Sequence, residues 1–287
     1  MIIGTRESAL AKWQTNTVIS KLKELDPGID IQVKYVKTTG DEVKDKPLSA
    51  LGGFGAFVKE LDYKIVDGEI DVAVNSLKDM PMELTEGTDL AAVLPRGPVE
   101  DVLLSEVPLN ELPNKAVVGS SSVRRRHQLL AQRPDLVIKD LRGNVPTRIR
   151  KWKEGEYDAI VLARAGMERL GVEEKHFILD PEVFIPAVGQ GAIAVACREG
   201  SEYMDLLKKL EDPKTRKEVD AERYVLRALG GGCSVPIGIW ARSDDKGIFI
   251  IGSVIGRKGV VRSERTIPHG DVRHGLVEFA VKLSKGL

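Results

Sequence analysis

Basic and hydroxyl side chains are concentrated where a strand is predicted to give way to a helix. Ser120–Ser122 leads into Arg124 and Arg125 at one such junction, and Arg142–Asn144 leads into Arg148 at the next. The first turn of a helix presents free backbone N–H groups and the positive end of the helix dipole, so it favours anions. Arginine adds paired donors that match a carboxylate or a phosphate. The two junctions therefore predict an anion-binding surface.

Two further junctions carry polar groups of the same kind. Arg6 and Ser8 follow the first predicted strand, and Lys78 follows the predicted strand over 70–74. In a parallel α/β sheet such strand ends share one edge, where ligands bind. We therefore expect the four junctions to line one cleft that suits a ligand with several anionic groups. For any single junction a solvated helix start is an equally good interpretation, but it is a poor one for all four.

Two single residues suggest chemistry beyond binding. Asp79 follows Lys78 directly, and a carboxylate among cations stays ionised and can stabilise positive charge that develops during a reaction. A turn or capping role is the competing interpretation. Cys233 follows three glycines, which let the backbone approach a ligand closely and can hold the thiol on a flexible loop. An ordinary buried cysteine is the alternative there, and it is the prediction for Cys197.

Strands and helices alternate along most of the chain. The predicted strands cover 1–5, 31–35, 70–74, 116–118, 136–139 and 159–162, and the predicted helices cover 9–25, 57–66, 121–132, 146–153 and 165–170. This alternation is typical of parallel sheets with helical crossovers, and 185–196 is predicted to be a return segment. After a helix that begins at Asp212, predicted strands over 235–240, 248–255 and 260–267 and a helix over 272–283 indicate a small α+β domain.

Composition excludes several classes of protein. The 287 residues suggest two domains or three small ones, and the 43 basic and 43 acidic residues cancel. Balanced charge and 5% aromatic residues argue against nucleic-acid or membrane-surface binding. Two cysteines are too few for a disulfide framework, and the four histidines lack metal-ligand spacing, so we expect no metal. The N-terminus becomes charged too early for a signal peptide, which favours a cytoplasmic protein.

Seven short blocks of sequence lie in order along almost the whole chain. They are residues 4–11, 57–61, 76–81, 121–125, 141–145, 186–191 and 231–236, which read GTRESALA, FVKEL, SLKDMP, SSVRR, LRGNV, PAVGQG and GGCSVP. Together they resemble the porphobilinogen deaminase (hydroxymethylbilane synthase) family. Seven ordered blocks are a far more specific signal than any one of them.

The resemblance implies an α/β fold of two periplasmic-binding-protein-like (type II) lobes, between which the chain crosses twice, plus a small C-terminal α+β domain. The implied boundaries are 1–94 with 187–209 for domain 1, 95–186 for the arginine-rich domain 2, and 210–287 for domain 3. The implied activity is a transferase reaction of tetrapyrrole biosynthesis. Four porphobilinogen molecules are joined head to tail with loss of ammonia, and hydrolysis then releases hydroxymethylbilane. The resemblance also implies a cytoplasmic monomer that binds neither nucleic acid nor membrane.

The resemblance implies a dipyrromethane cofactor held by a thioether to Cys233. Asp79 is the implied catalytic residue, which would stabilise cationic pyrroles and help proton transfer. The implied cofactor-binding residues are Lys78, Ser122, Arg124, Arg125 and Arg148. The implied substrate-binding residues are Arg6, Ser8, Gln14, Arg142, Arg169 and Gln190. On this basis we expect Arg124 and Arg125 to serve the ligand and not the core.

The chain departs from the family pattern at two positions. Asn75 stands where the family usually has histidine, so any role of that imidazole is absent. Phe54 replaces a residue that is commonly basic in a glycine-rich loop, which puts a carboxylate contact of that loop in doubt. The segment after Cys233 is short, so we expect a trimmed third domain.

Two other classes of protein remain as alternatives. A solute- or effector-binding protein could share the bilobal fold, but it would not need a glycine-flanked thiol. A nucleic-acid-binding protein could use the basic stretch over 124–150, and a strongly salt-dependent affinity for DNA or RNA would indicate it.

Overall fold

The computed structural model describes residues 1–36, 56–231, 236–256 and 259–287. Within them the chain forms two compact units, each assembled from two stretches of sequence. The first unit comprises residues 1–97 with 191–217, and the second comprises 98–190 with 218–287. The helix over Pro213–Ala228 belongs to both, because the division falls after Lys217. The three domain boundaries expected from the sequence stay a prediction.

The first unit is built on a five-stranded sheet with the order β2-β1-β3-β10-β4. Its strands are β1 (Ile2–Arg6), β2 (Gln32–Val36), β3 (Val72–Ser76), β4 (Thr88–Val93) and β10 (Ile193–Arg198). β1 runs parallel to β2 and β3, whereas β10 is antiparallel to β3 and β4. Its helices are α1 (Ala9–Leu25), α2 (Ala56–Val66) and, further along the chain, α6 (Met204–Lys208).

Local signals explain the position of α1. Ser8 caps the helix, because its Oγ accepts a hydrogen bond from the Ala11 N–H at 3.2 Å. Val18 and Leu22 lie one turn apart and pack into the core of the first unit, where both are fully buried. The helix ends before Asp26, which takes an extended conformation as expected for a residue that precedes proline. The apolar face and the two end signals thus fix α1 against the sheet.

The second unit contains a sheet of the same layout, with the order β7-β6-β8-β5-β9. Its strands are β5 (Asp101–Leu104), β6 (Val117–Gly119), β7 (Val137–Lys139), β8 (Ala159–Ala163) and β9 (His176–Leu179). β6 runs parallel to β7 and β8, and β5 is antiparallel to β8 and β9. Three helices follow the parallel strands: α3 (Val123–Gln132), α4 (Val145–Lys153) and α5 (Arg164–Arg169).

A small antiparallel sheet also belongs to the second unit. Its strands β11 (Ile237–Asp244), β12 (Gly247–Gly256) and β13 (Gly259–Ile267) pair in sequence order. The helices α7 (Pro213–Ala228) and α8 (Val272–Ser284) cover it with buried apolar side chains, among them Val225 and Phe279. This sheet and its two helices form the C-terminal α+β region that the sequence predicts.

Acidic side chains of α7 accept hydrogen bonds from backbone N–H groups of the edge strand β11. The N–H groups of Ala241 and Ser243 donate to Glu222 (2.9 Å) and Glu218 (2.8 Å), respectively. Four residues of a helix rise about 6 Å, close to the roughly 6.6 Å between alternate residues of a strand, so the two carboxylates match the two N–H groups. Glu222 also accepts a hydrogen bond from the Gly189 N–H at 2.7 Å. A fully buried carboxylate therefore joins β11 to the loop that contains Gln190.

The predicted fold class is confirmed, with one correction. Each unit has a five-stranded α/β sheet, the two sheets share one strand layout, and a small α+β region follows. The expected parallel sheets are mixed, because β1, β2 and β3 and likewise β6, β7 and β8 pair in parallel, whereas β5, β9 and β10 introduce antiparallel pairs. The predicted return segment over 185–196 contains a strand only from Ile193, since Gly189 and Gly191 turn the chain with positive φ angles of 71° and 88°.

Candidate active site

The carboxyl ends of β1 and β3 position one group of predicted site residues, in the first unit. The two strands are parallel neighbours, so the residues that follow them lie at the same edge of the sheet. Arg6 ends β1 and Ser8 caps α1, while Lys78 and Asp79 lie in a short 3₁₀ helix, Leu77–Asp79, after β3. The structure thus brings together two of the junctions that the sequence singled out.

A small cavity of about 70 Å³ lies at this edge. Four of the predicted site residues line it, namely Arg6, Ser8, Gln14 and Asp79, and Asn75 lines it as well. Gln14 is buried and its Nε2 donates to Ser76 Oγ at 2.8 Å, which ties α1 to the end of β3. Because ligand pockets are usually about 300–1,000 Å³, this cavity has room for only one part of a ligand of that size.

Buried neighbours hold Asp79 at the surface of this cavity. Leu77 and Met80 flank the Lys78–Asp79 pair and are almost completely buried. The Leu77 N–H donates to Ala192 O at 3.0 Å, and the Met80 N–H donates to Leu77 O at 3.1 Å. These hydrogen bonds anchor the backbone on both sides of the pair. Between them, the Asp79 side chain is exposed and the Lys78 side chain is partly exposed. The backbone of Asp79 is therefore anchored at a cavity that Arg6 and Gln14 also line.

The carboxyl ends of β6 and β7 position another group of predicted site residues, in the second unit. Ser122 caps α3 by accepting from the Arg125 N–H at 3.4 Å, and Asn144 caps α4 by accepting from the Thr147 N–H at 3.0 Å. Ser121 joins the two junctions, because its Oγ donates to Leu141 O and accepts from Leu141 N, both at 3.0 Å. The predicted strand-to-helix junctions of this unit are thus adjacent and rigidly connected.

Arg142 and Arg148 lie at the second of these junctions, and both are partly buried. The Arg148 Nε donates to Gly143 O at 2.7 Å, which turns the guanidinium back toward the helix start. Gly143 has a φ of 112°, and a Cβ there would lie 2.7 Å from Thr147 Cγ2, so the turn requires glycine. Arg169, the last residue of α5, is also partly buried, and burial lowers its pKa.

Arg124 and Arg125 are built into the interior of the second unit. Each is only 7% exposed, and both bind the fully buried Asp101. Arg124 Nη2 donates to Asp101 Oδ2 at 2.6 Å, and Arg125 donates to Asp101 Oδ1 from Nη2 (2.6 Å) and Nε (3.1 Å). The backbone carbonyls of Ile185 and Val161 accept further hydrogen bonds from Arg124 (2.6 Å) and Arg125 (3.0 Å). The expectation that the two arginines do not serve the core is therefore wrong, whereas their cofactor-binding role stays a prediction.

The charges of this buried cluster do not cancel. Burial raises the pKa of Asp101, but the charges and hydrogen bonds of Arg124 and Arg125 outweigh burial and hold the pKa well below its usual range. The carboxylate is thus ionised at neutral pH, and two guanidinium groups with one carboxylate leave one surplus positive charge. An anion beside the cluster would compensate it.

Gln190 completes the cluster. Its Nε2 donates to Asp101 Oδ1 at 3.0 Å and to Val99 O at 2.7 Å, and the side chain is almost fully buried. Sequence reasoning selected Gln190 only from the resemblance, and it missed Asp101 and Glu222. The signal available for Asp101 is an acid that directly precedes the apolar segment 102–104, and the signal for Glu222 is an acid on the apolar stripe of α7.

The chain contains two cysteines, Cys197 and Cys233. Cys233, like Phe54, lies outside the described residues. Cys197 is fully buried in β10, and burial, together with the nearby Asp89, raises the pKa of its thiol to about 11. Cys197 is therefore protonated at neutral pH and unavailable as a nucleophile. Within the described ranges, no group of three acidic, histidine or cysteine side chains could hold a metal ion.

Comparison with known proteins assigns the chain to a family. The model of the porphobilinogen deaminase dipyromethane cofactor binding domain matches residues 1–205, and the model of the porphobilinogen deaminase C-terminal domain matches residues 216–283. The chain belongs to the porphobilinogen deaminase family. This family membership makes it a transferase of tetrapyrrole biosynthesis with a dipyrromethane cofactor, which confirms what the resemblance implies.

Relatives named porphobilinogen deaminase come from varied organisms. The protein of Sulfurimonas denitrificans is 46% identical over 261 residues, covering 89% of this chain and 83% of that one. The protein of Halalkalibacterium halodurans is 42% identical over 305 aligned residues, covering 100% of this chain and 98% of that one. Among solved structures, the VFT2 domain of Bordetella pertussis BvgS (a double mutant) is 16% identical over 73% of this chain and 85% of its own, with a TM-score of 0.44. The fold assignment rests on the strand order given above.

Proposed function

We propose that this porphobilinogen deaminase family member joins four porphobilinogen molecules head to tail with loss of ammonia and releases hydroxymethylbilane by hydrolysis. The observation that carries the proposal is the first-unit cavity, which brings Asp79 together with Arg6, Ser8 and Gln14. Such a set can hold a carboxylate-bearing pyrrole and face it with a negative charge. Family membership supplies the reaction class, and the cavity supplies groups suited to it.

Asp79 is the catalytic residue in this proposal. Loss of ammonia leaves an electron-poor pyrrole, and attack by the next pyrrole leaves another cation. A fixed carboxylate stabilises both, and it can accept the pyrrole N–H as the positive charge develops. The anchored positions of Leu77 and Met80 keep Asp79 in place, so little reorganisation accompanies the reaction.

The cationic residues hold carboxylates. Porphobilinogen carries an acetate and a propionate, so every unit of the growing chain adds two negative charges. In the first unit Arg6, Ser8 and Gln14 bind the substrate, with Arg142, Arg169 and Gln190 as the proposed substrate-binding residues of the second unit. The proposed cofactor-binding residues are Lys78, Ser122, Arg124, Arg125 and Arg148.

The residues of the second unit fit a carboxylate-bearing cofactor. The buried cluster of Arg124, Arg125 and Asp101 has one surplus positive charge, and the capped start of α3 adds backbone N–H donors. Dipyrromethane, when bound, supplies the primer to which the first substrate is joined. We propose Cys233 as its attachment point, because the chain has two cysteines and Cys197 is buried and protonated.

We further propose a cytoplasmic monomer that binds neither nucleic acid nor membrane, with the domain boundaries 1–94 with 187–209, 95–186 and 210–287. The third boundary is supported by the match of the C-terminal family model from residue 216 and by the separate sheet over 237–267. Across the described residues, no helix is long and apolar enough to cross a membrane. Sedimentation of the purified protein tests the monomer, and a salt-dependent affinity for DNA would contradict the absence of nucleic acid.

Intact-mass measurement, paired with an assay of hydroxymethylbilane release, tests the proposed function. The wild-type mass should exceed the sequence mass by two substrate-derived pyrrole units. Cys233→Ala should lose this adduct and the activity, whereas the matched variant Cys197→Ala should keep both. An unmodified chain that still releases hydroxymethylbilane at the wild-type rate would contradict the attachment, and a chain that releases none after loading would contradict the function.

A further inference from the structure

The side chain of Asn75 is an unsatisfied polar group in the wall of the first-unit cavity. Asn75 lies on β3 between β1 and β10, it is 7% exposed, and it lines the cavity with Arg6, Ser8 and Asp79. Its amide nitrogen, Nδ2, is buried and has no hydrogen-bond partner among the described residues. Buried polar groups are nearly always paired, so this orphan needs an explanation.

The fold alone does not explain an asparagine at this position. Asn75 pairs with Ala194 through the backbone ladder, which does not depend on its side chain. Asparagine is unfavourable in strands, and Val72, Ala73 and Val74 of the same strand are apolar and buried. An apolar residue would therefore stabilise β3 better than an amide with an unmade hydrogen bond.

We propose that Asn75 is a further substrate-binding residue, whose amide donates a hydrogen bond to a carboxylate of the incoming pyrrole. The inference rests on the proposed function. At neutral pH the carboxylate oxygens are the acceptors of porphobilinogen, because its ring N–H and its ammonium group only donate. Arg6 lines the same cavity and supplies the positive charge, so the amide adds a directional donor beside a cation.

Three variants of Asn75 test the proposal in the cofactor-loaded enzyme. Asn75→Leu keeps the shape without a donor, Asn75→Asp replaces the donor by a negative charge, and Asn75→His keeps a donor. The measurements are KM for porphobilinogen, thermal unfolding, and calorimetric binding of the analogue that lacks the aminomethyl group and cannot react. The leucine variant should bind the analogue and the substrate about 10- to 100-fold more weakly, as for loss of a hydrogen bond to a charged group. Aspartate should bind more weakly still, and histidine should retain part of the affinity.

Thr15 provides a matched control. Its Oγ1 is also buried without a partner among the described residues, but Thr15 lies on α1 and does not line the cavity. Both Thr15→Val and Asn75→Leu should unfold at the wild-type temperature or higher, because each removes an unmade hydrogen bond. Only the Asn75 variants should lose affinity.

The outcomes separate this inference from the proposed function. Wild-type affinity in Asn75→Leu and Asn75→Asp would overturn the role of Asn75 while leaving the function intact. A second contradicting outcome is a lower unfolding temperature in Asn75→Leu together with wild-type affinity for the analogue in Asn75→His and Asn75→Asp. It would show that Asn75 has a structural role, and it would equally overturn the proposal. If the wild type itself neither binds nor converts porphobilinogen, the proposed function is the statement that fails.

Discussion

Asp101→Asn should destabilise the second unit strongly. Asp101 is fully buried and accepts four hydrogen bonds, three from Arg124 and Arg125 and one from Gln190. The amide would leave two buried guanidinium groups without a counter-charge. Breaking a buried ion pair of this kind costs about 3–5 kcal/mol, a large share of the total stability of a protein. For a unit of this size the loss corresponds to a decrease in Tm of roughly 6–20 °C.

The assay is thermal and urea unfolding between pH 3 and pH 8. The pKa of Asp101 is lowered in the folded state, so its stabilising effect is complete above the ordinary carboxyl pKa and is lost as pH falls toward the folded pKa. Below about pH 4 the wild type should lose up to about 1.4 kcal/mol per pH unit through this group. The asparagine variant lacks this contribution, so the difference between the two proteins should shrink toward acid pH.

The matched control is Asp135→Asn, in the same unit. Asp135 binds Arg133 at 2.7 Å, but the two side chains are 32% and 18% exposed, so solvent screens the pair and the change in Tm should be much smaller. Equal Tm values for the Asp101 and Asp135 variants would refute the burial argument. A difference between wild type and Asp101→Asn that stays constant down to pH 3 would refute the pKa argument.

Two further predictions concern the site itself. In cofactor-loaded protein, Asp79→Asn should slow chain extension by about 10²–10³-fold because the charge is lost, whereas Asp79→Glu should keep some activity because the charge remains but is misplaced. The rate of hydroxymethylbilane release measures both effects. Near-native chain extension by Asp79→Asn would show that Asp79 is only a turn residue. Arg148→Leu should melt like the wild type but hold less cofactor, whereas Arg125→Leu should also melt lower, because Asp101 and the carbonyl of Val161 lose buried donors. Intact mass and melting curves separate the two arginines, and equal melting temperatures would contradict this distinction.

The local structures that the sequence predicts correctly depend on short-range signals. Ser8 is followed at once by the helix that it caps, and the serines before Arg124 likewise precede their helix, so a short stretch of sequence contains both partners. The closeness of the residues after β1 and β3 follows from the same logic, because a parallel pair of strands must end at one edge of the sheet. The single cleft expected from all four junctions stays a prediction. The alternation of strands and helices likewise predicts the α/β fold class, because each element is recognisable from its own stretch of sequence.

The parts that sequence reasoning missed depend on contacts between distant segments. Asp101 meets Arg124 and Arg125 only because β5 pairs antiparallel with β8, in a register that sets Asp101 opposite Ala163. A short apolar run carries no information on strand direction or register. The arginines therefore look like ligand-binding residues at a helix start, and their burial cannot be inferred without the acid that they bind.

Anion binding by the buried cluster could depend on its net positive charge or on the fixed orientation of its guanidinium groups, and Asp101→Asn distinguishes the two. Removing the negative charge of Asp101 increases the net positive charge beside α3, and Coulomb's law alone would then strengthen the binding of a cofactor carboxylate. Asp101 also fixes the planes of two guanidinium groups, and donors that are already ordered bind an anion without the entropic cost of ordering them. An asparagine amide would turn its own N–H donors toward some of these N–H groups and displace them. Because guanidinium donors are planar and directional, we expect orientation to dominate, so folded Asp101→Asn should take up less cofactor than the wild type in spite of its greater positive charge.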